Sequence, residues 1–348
     1  MLVLTGGAPL TSRQLPGGRP VLSSAGREYH FFFNAMPDGV RPDSVVVRNK
    51  CLREAAHFDI APANSLLMLS EPSSVCMFPS SYTGQFGRLH TCQASMRRPN
   101  ASFGPAALPW FVGFYESRGQ DTRFSFSYDD LAASPLPAKT KRLSVITSAK
   151  CFTRGHVERL RFVRKLLDAF PGQVDVFGRG FREVADKWEA LAPYRYTIAI
   201  ENCRSNHYWT EKLSDAILAG CHVIYSGAPN VREYFPRAPI TEVDVSDFPS
   251  ARAAIEGLLT SDPYDSELEL LLSARRDVMG RFNIFHLMAD YLDQMDFDAP
   301  RGGGLTLRPV GVAGSVLNIL NRAFVWNYYK ALSRLDGLCG RSVRPTSQ

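Results

Sequence analysis

The sequence predicts an α/β protein built around a doubly wound parallel sheet. Three observations lead to this prediction. Strand-like and helix-like segments alternate between residues 139 and 300, the strand-like segments are short and rich in β-branched residues, and the 348-residue chain is long enough for two domains. Because parallel strands need helical crossovers, the alternating order implies that a ligand binds beyond the carboxyl ends of the strands.

The elements of this half are predicted in order from their periodicity. The first helix places Leu160, Val163, Leu167 and Phe170 three or four positions apart, which is the spacing of one buried helical face. We predict strands over residues 143–148, 174–178, 196–200, 221–225 and 240–245. We predict helices over residues 156–170, 181–191, 210–219, 250–259 and 265–282.

The first half of the chain has weaker periodicity. Residues 1–28 are rich in Gly, Pro and Ser and are predicted to be irregular. A segment with two prolines at 134–141 is predicted to be a linker, because proline breaks helices and central strands. The expected organisation is an N-terminal domain, a C-terminal domain and a tail. Their predicted boundaries are 1–138, 139–300 and 301–348.

The tail is predicted to form one long amphipathic helix. Its apolar positions recur every three or four residues, with Arg322, Lys330 and Arg334 among them. The apolar stripe consists of Leu317, Leu320, Phe324, Tyr328, Ala331 and Leu335. Such a helix either docks onto the folded body or lies on a membrane surface through residues 312–336, and both interpretations stay open.

Composition and spacing exclude several classes of protein. The net charge of +6 suits a phosphorylated ligand but is too diffuse for a nucleic-acid-binding protein. Seven cysteines without a CxxC pair, and histidines without an HxxxH pair, predict neither a disulfide framework nor a metal centre. The first twenty residues are unlike a signal peptide, so a cytoplasmic protein is expected.

The first candidate site is the loop at residues 148–159, which leaves a predicted strand and enters a helix. It contains Lys150, Arg154 and Arg159. Backbone N–H groups at such a junction, together with guanidinium groups, bind anions such as a diphosphate. The alternative is that Arg159 is a solvated residue paired with a nearby acid.

A second polar loop leads into the helix predicted at 210–219. Thr210 as N-cap and Glu211 in the first turn are typical of any helix. Lys212 opposes the helix dipole, which indicates an anionic ligand at this end. Asn202 and Tyr208 on the loop supply neutral hydrogen-bond donors and an aromatic face for a nucleotide sugar.

Several sequence blocks surround this loop in a fixed order. They are the Arg159 helix, Val174-Asp-Val-Phe-Gly, Glu201-Asn, Tyr208-Trp-Thr-Glu-Lys, Leu218-Ala-Gly-Cys-His-Val-Ile-Tyr-Ser-Gly-Ala-Pro and Ile240-Thr-Glu-Val-Asp-Val-Ser-Asp-Phe-Pro. Together they resemble the donor-binding region of glycosyltransferase family 10, the α1,3/4-fucosyltransferases, over residues 145–259. Ile200 and Cys203 depart from this pattern, because the family usually has Phe and Ser there.

The resemblance implies a fold, a donor and a set of roles. The implied fold is GT-B, with two Rossmann-like domains that face a cleft. Arg159 and Lys212 would hold the diphosphate of GDP-fucose without an essential metal ion. Glu211 would accept hydrogen bonds from the nucleotide sugar or stabilise positive charge on the fucose ring, and Asn202 and Tyr208 match further donor-site positions.

Direct displacement with inversion also needs a general base. Glu71 follows the apolar segment 66–69, and this arrangement resembles the family's strand that ends in the glutamate proposed as base. Glu116 is the reserve candidate, because it also ends an aromatic segment. The alternative is that Glu71 is an ordinary loop residue.

The expected function is therefore transfer of L-fucose from GDP-fucose to the 3- or 4-hydroxyl of a glycan acceptor that contains GlcNAc or Glc. Two alternatives stay open: a transferase that uses another GDP-sugar, and a catalytically silent module that only binds the nucleotide sugar. The protein is expected to be cytoplasmic, with peripheral contact at the inner membrane face if the tail binds lipid.

Overall fold

The computed structural model describes residues 1–5, 10–49, 51–115 and 123–336. The strands of the first half are β1 (Leu2–Leu4), β2 (Val21–Ser24), β3 (Arg27–His30), β4 (Phe32–Phe33), β5 (Val45–Arg48), β6 (Ala56–Phe58), β7 (Ser65–Leu69), β8 (Arg88–Thr91), β9 (Ala101–Phe103), β10 (Phe114–Tyr115) and β11 (Arg123–Phe124). Its helices are α1 (Ser80–Thr83) and α2 (Tyr128–Ala133).

Six of these strands form the first parallel sheet, in the order β4-β1-β5-β7-β8-β9. The central strands β5 and β7 are buried along their whole length, and they consist mainly of Val, Leu and Met. Continuous apolar strands of this kind are typical of parallel sheets that are covered on both faces. Strand β7 ends at Leu69, so the predicted strand at 66–69 is confirmed.

The prediction that residues 1–28 are irregular is wrong. Strand β1 lies inside the first sheet, where Leu2 pairs with Phe32 on one side and with Val45 on the other. Strands β2 and β3 form an antiparallel hairpin. A strand of three residues is too short to show periodicity, and its partners lie about 30 to 43 positions away along the chain, so local patterning does not reveal it.

The second sheet is made by residues after the predicted linker. Its strands are β12 (Lys141–Ile146), β13 (Val174–Phe177), β14 (Tyr194–Ile200), β15 (His222–Ser226) and β16 (Ile240–Glu242). The helices are α3 (Arg154–Ala169), α4 (Lys187–Leu191), α5 (Glu211–Leu218), α6 (Val231–Tyr234), α7 (Phe248–Ser261) and α8 (Leu268–Met279). All neighbouring strands are parallel, in the order β13-β12-β14-β15-β16.

The alternation predicted for the second half is confirmed, but several boundaries differ. Strand β16 ends at Glu242 rather than at residue 245, and α8 covers Leu268–Met279 rather than residues 265–282. Helix α4 begins at Lys187 rather than near residue 181, because Arg182 forms a β-bridge with Phe177 and Asp186 caps the helix. The two parallel sheets and the helices around them confirm the predicted α/β class and its GT-B arrangement. The strand order reverses between β12 and β14, which is where such sheets bind ligands.

The chain returns to the first sheet after the second one is complete. Helix α9 (Ile284–Leu292) packs against Val3 and Phe31 of the first half. Strand β17 (Leu305–Leu307) pairs antiparallel with β6. The domain boundaries at 138 and 300 stay predictions, but the packing of α9 shows that residues before 300 already belong to the core of the first sheet.

The predicted C-terminal helix is present as α10 (Val312–Leu335), and it contacts the body through an unexpected face. Trp326 stacks on Phe152 with ring centroids 4.9 Å apart. Leu320, Phe324 and Tyr328 of the predicted stripe are instead 61%, 79% and 58% exposed. The side chains of Leu317, Arg322 and Leu335 lie outside the described part of the structure.

None of the helices in the described ranges is both long enough and apolar enough to cross a membrane.

Candidate active site

The two candidate loops meet at the carboxyl ends of β12 and β14, which are neighbouring strands. A cleft of about 380 Å³ opens there, and it is lined by the start of α3, by Glu201 and Asn202 after β14, and by Ser74 of the first half. A second crevice, of about 170 Å³, lies between the strand ends and helices α4 and α5, and both Arg159 and Lys212 line it. The structure therefore brings the two predicted phosphate-binding cations to one crevice.

Arg159 is buried, with only 4% of its surface exposed, so the interpretation of this residue as solvated is wrong. Its guanidinium donates to Asn202 Oδ1 at 3.0 Å and to the carbonyl oxygen of Ser148 at 3.1 Å. Burial lowers the pKa of Arg159 to about 10 against the attraction of Glu201, so the group stays charged at neutral pH. Among the described residues, its Nε has no hydrogen-bond partner.

Lys212 forms a buried ion pair that the sequence analysis did not predict. Its Nζ lies 3.2 Å from Oε2 of Glu201, whose side chain is fully buried, and 3.2 Å from Thr210 Oγ1. Burial alone lowers the pKa of Lys212, but Glu201 and Glu211 outweigh it and raise this pKa. The unfavourable helix dipole is thus offset by a carboxylate of the protein itself, and the lysine remains charged beside the crevice.

Glu211 lies between two ammonium groups. Its Oε1 is 3.7 Å from Nζ of Lys212 and 3.6 Å from Nζ of Lys187. Burial alone raises the pKa of Glu211, but the two lysines lower it to about 2. A carboxylate with so low a pKa accepts hydrogen bonds and stabilises positive charge, whereas a general base needs a pKa nearer the working pH.

Asn202 and Tyr208 occupy different environments. Asn202 accepts the hydrogen bond from Arg159 and lines the 380 Å³ cleft. Tyr208 is 3% exposed and packs against Cys92 and Ala106 of the first half. Its ring therefore joins the two halves of the molecule, and little of its face is open to a ligand.

Glu71 lies on the loop that follows β7, and Ser74, three residues further along the chain, lines the 380 Å³ cleft. The carboxylate of Glu71 is exposed. Burial, followed by Glu201 and Cys203, raises the pKa of the Tyr208 phenol, and Glu71 adds a smaller effect in the same direction. The backbone carbonyl of Glu71 accepts a hydrogen bond from Gln93 at 2.8 Å, which fixes the loop. Glu116, the reserve candidate, lies outside the described residues.

The 170 Å³ crevice carries polar atoms that find no hydrogen-bond partner within the part of the chain that the structure describes. These atoms are Thr147 Oγ1 and Arg159 Nε, and both are buried. Buried polar atoms are usually hydrogen-bonded, so two such atoms in one crevice point to a polar ligand. Apolar walls accompany them, and these are formed by Ile146, Leu191, Ile198 and Ala199.

Several residues of this site were not identified from the sequence. The residue pattern predicts no separate role for Glu201, Lys187, Asp215 or Thr147. Lys187 lies on α4 and Asp215 on α5, so their ion pair forms only when the two helices pack together. Residue spacing carries no signal for such a contact, whereas a carboxylate at the end of β14 gave a signal for Glu201.

The comparisons with known proteins agree with the motifs. Residues 136–269 match the family described as glycosyltransferase family 10 (fucosyltransferase) C-term. The chain is 30% identical over 177 residues to alpha-(1,3)-fucosyltransferase 7 of Bos taurus, which is 48% of this chain and 50% of the relative. It is 40% identical over 76 residues to an alpha-(1,4)-fucosyltransferase of Arabidopsis thaliana, which is 21% of this chain and 18% of the relative.

A solved α1,3-fucosyltransferase structure superimposes with a TM-score of 0.46 and 16% identity, covering 78% of this chain and 80% of the other. This chain spans half or less of the length of the relatives it matches by sequence. The family match extends over α3, β14 and α5, which carry Arg159, Asn202 and Lys212. Residues 136–269 are therefore similar to the C-terminal domain of glycosyltransferase family 10, the fucosyltransferase family.

Proposed function

We propose that this protein is an inverting fucosyltransferase that uses GDP-fucose. The single observation that carries the proposal is that Arg159 and Lys212, within a family 10 domain, line one crevice that also holds unpartnered polar atoms. In the proposed reaction an acceptor hydroxyl attacks the anomeric carbon of fucose, and the bond to the diphosphate breaks. GDP leaves with the bonding electrons and the proton goes to the base.

The two cations are proposed to hold the diphosphate and to offset the charge that develops on departing GDP. Such preorganised positive groups stabilise a leaving diphosphate as a metal ion does, so we propose that no divalent metal is essential. Asn202 fixes the Arg159 guanidinium by accepting its hydrogen bond. Glu211 faces the crevice as a carboxylate and is proposed to accept hydrogen bonds from the nucleotide sugar or to stabilise the fucose ring.

The proposed acceptor is the 3- or 4-hydroxyl of a glycan that contains GlcNAc or Glc, with Glu71 as general base. The exposed position of Glu71 after β7 leaves its carboxylate accessible to an acceptor. We expect Glu71→Gln to bind GDP like the wild type and to lose most transfer. Normal transfer by this variant would remove Glu71 from the reaction and favour a base elsewhere in the first half.

The central experiment measures GDP binding by calorimetry and GDP release with N-acetyllactosamine-type acceptors. Arg159→Met and Lys212→Met each remove a charged hydrogen-bonding group worth about 1.5–3 kcal/mol, so we expect GDP to bind roughly ten- to hundredfold more weakly. Arg252→Met is the matched control, because Arg252 is half exposed and pairs with Glu256 on α7. Unchanged binding in both site variants would contradict the proposed phosphate site.

Two other outcomes identify the alternatives. Turnover with a different GDP-sugar in preference to GDP-fucose would indicate another transferase of the same class. Binding of GDP-fucose without turnover on any glycan acceptor would indicate a silent nucleotide-sugar-binding module. Turnover that is lost in the presence of EDTA would contradict the proposed independence from metal.

We also propose that the protein is cytoplasmic and contacts the inner membrane face through α10. The exposed stripe at Leu320, Phe324 and Tyr328 is accompanied by exposed Lys330 and Arg334, a combination typical of helices that lie on anionic lipid. We expect the full chain to sediment with vesicles that contain anionic lipid. A Phe324→Glu variant that sediments equally well would contradict contact through this stripe.

A further inference from the structure

A buried series of alternating charges runs along one side of the proposed donor crevice. Lys187 Nζ is 2.8 Å from Oδ2 of Asp215, and it is the second ammonium group beside Glu211 Oε1. Asp215 is 1% exposed, and its other oxygen accepts hydrogen bonds from the backbone nitrogens of Phe111 and Val112 at 2.8 and 3.3 Å. The carboxylate that anchors Lys187 is therefore itself immobile.

The geometry leaves Lys187 little freedom. Its ammonium also lies 5.1 Å from the centroid of the Phe111 ring, within cation–π range. Asp215 holds it from α5, and the aromatic ring of Phe111 holds it from the first half of the chain. Since Lys187 is the first residue of α4, whose N-cap Asp186 is 2% exposed, its backbone is fixed as well.

We propose that Lys187 is a positioning residue of the donor site, which holds the carboxylate of Glu211 in one orientation and keeps it charged. This inference rests on the proposed function, because Glu211 acts on the nucleotide sugar only in that context. Glu211 is the first residue of α5, and a long side chain at a helix start has several accessible rotamers. Ammonium groups on both sides of Oε1 remove most of them.

The charge on Glu211 depends on groups from several elements. Lys187 on α4 and Lys212 on α5 attract the carboxylate, whereas Asp215 on the same helix and Glu201 after β14 repel it. Arg159 on α3 adds positive charge next to Lys212, and Tyr208 faces the carboxylate as a neutral phenol. Burial favours the neutral acid, so removal of one of the two lysines should return the pKa of Glu211 towards or above its ordinary value.

The test compares four variants of the full chain. Lys187→Met removes the ammonium but keeps the length of the side chain, and Lys187→Arg restores the charge. Lys187→Met with Asp215→Asn removes both charges of the buried pair, and the amide oxygen still accepts from the backbone of Phe111 and Val112. Lys141→Met is the control, because Lys141 forms a half-exposed pair with Asp175 far from the crevice.

Two measurements on these variants separate a positioning role from a structural one. The first is the pKa of Glu211, followed by carboxyl ¹³C resonances that are assigned with Glu211→Gln. The second is the pH profile of kcat/KM for GDP-fucose. In Lys187→Met we expect the pKa of Glu211 and the acidic limb of the profile to rise by about one unit or more. We expect kcat/KM at pH 7 to fall about tenfold.

The proposal also predicts which variants recover. Lys187→Arg should restore both measurements, while the double variant should recover thermal stability but keep the altered pH profile. A double variant with the wild-type profile, or an unchanged pKa of Glu211 in Lys187→Met, would overturn the proposal. If the wild type transfers no fucose, the proposed function fails, whereas the pKa of Glu211 still reports whether Lys187 controls this carboxylate.

Discussion

The charged side chains of the site stay ionised inside the protein because each has oppositely charged neighbours. Glu201 and Glu211 keep Lys212 protonated, and Lys187 with Lys212 keeps Glu211 ionised. A buried ion pair of this kind contributes little net stability, since desolvation offsets the attraction. It does fix where each charge lies, and a site that must accept a diphosphate needs its cations in place before the ligand arrives.

The interaction of Glu211 with Lys187 and Lys212 predicts how the free energy of unfolding depends on pH. The pKa of Glu211 is about 2 in the folded protein against an ordinary value of 4.5, so the unfolded chain binds more protons between these values. This contribution to the free energy of unfolding is therefore complete above pH 4.5 and is lost as the pH falls towards 2. We will compare the free energy of unfolding, measured by urea titration, at pH 6 and pH 3. Between these pH values we expect it to fall by about 1–3 kcal/mol less in Glu211→Gln than in the wild type.

The matched control for this pH dependence is Glu256→Gln, because Glu256 forms a half-exposed pair with Arg252 on α7. The free energy of unfolding of Glu256→Gln should fall with pH by the same amount as that of the wild type, within error. If Glu211→Gln and the wild type decline with the same slope, the two lysines do not hold Glu211 ionised.

The N-cap of helix α4 links a local sequence signal to the geometry of the site. Asp186 caps α4 by accepting from the backbone of Trp188 at 2.8 Å, and the same oxygen accepts from Gly113 at 2.9 Å. One carboxylate thus begins the helix that carries Lys187 and fastens the backbone of Gly113, in the first half, to the second half. The sequence marks Asp186 as a good cap, but its bond to a residue 73 positions away is visible only in the folded chain.

Replacement of this cap should cost more than an ordinary capping residue. We expect Asp186→Ala to lower the free energy of unfolding by about 2–4 kcal/mol, because it removes the cap and leaves the buried N–H of Gly113 unsatisfied. Asp247→Ala is the control, because Asp247 caps α7 at the surface and should cost about 1 kcal/mol. Equal losses in chemical denaturation would show that the bond to Gly113 contributes nothing.

A feature can be predicted from the sequence when it depends on residues that are close in sequence, and cannot when its partners are distant. The strands and helices after residue 139 were predictable, because five strands of three to seven residues alternate with helices that have one apolar face. Arg159 and Lys212 were predictable as a pair, because adjacent parallel strands end at the same edge of the sheet. Strand β1 and the ion pair between Lys187 and Asp215 were not, because each depends on a partner that is distant in sequence.

The two halves are held together by chain segments that cross between them. The backbone N–H of Phe111 in the first half donates to Asp215 of α5 at 2.8 Å, and Asn283 at the start of α9 donates to the carbonyl of Gln14 at 2.6 Å. The cleft between the halves is thus built on segments that are distant in sequence but share one packed interface.

A substitution at Phe285 measures how strongly the packing of α9 against the first half stabilises the molecule. It is fully buried, and its ring lies 4.9 Å from that of Phe31 and 6.0 Å from that of Phe33. We expect Phe285→Ala to lower the free energy of unfolding by about 3–5 kcal/mol, as large-to-small changes in a packed core do. Leu268→Ala, at an exposed position on α8, should change it by less than about 0.5 kcal/mol. A loss as small as that of the control would mean that α9 is only loosely attached, and that the second half does not depend on the first for its stability.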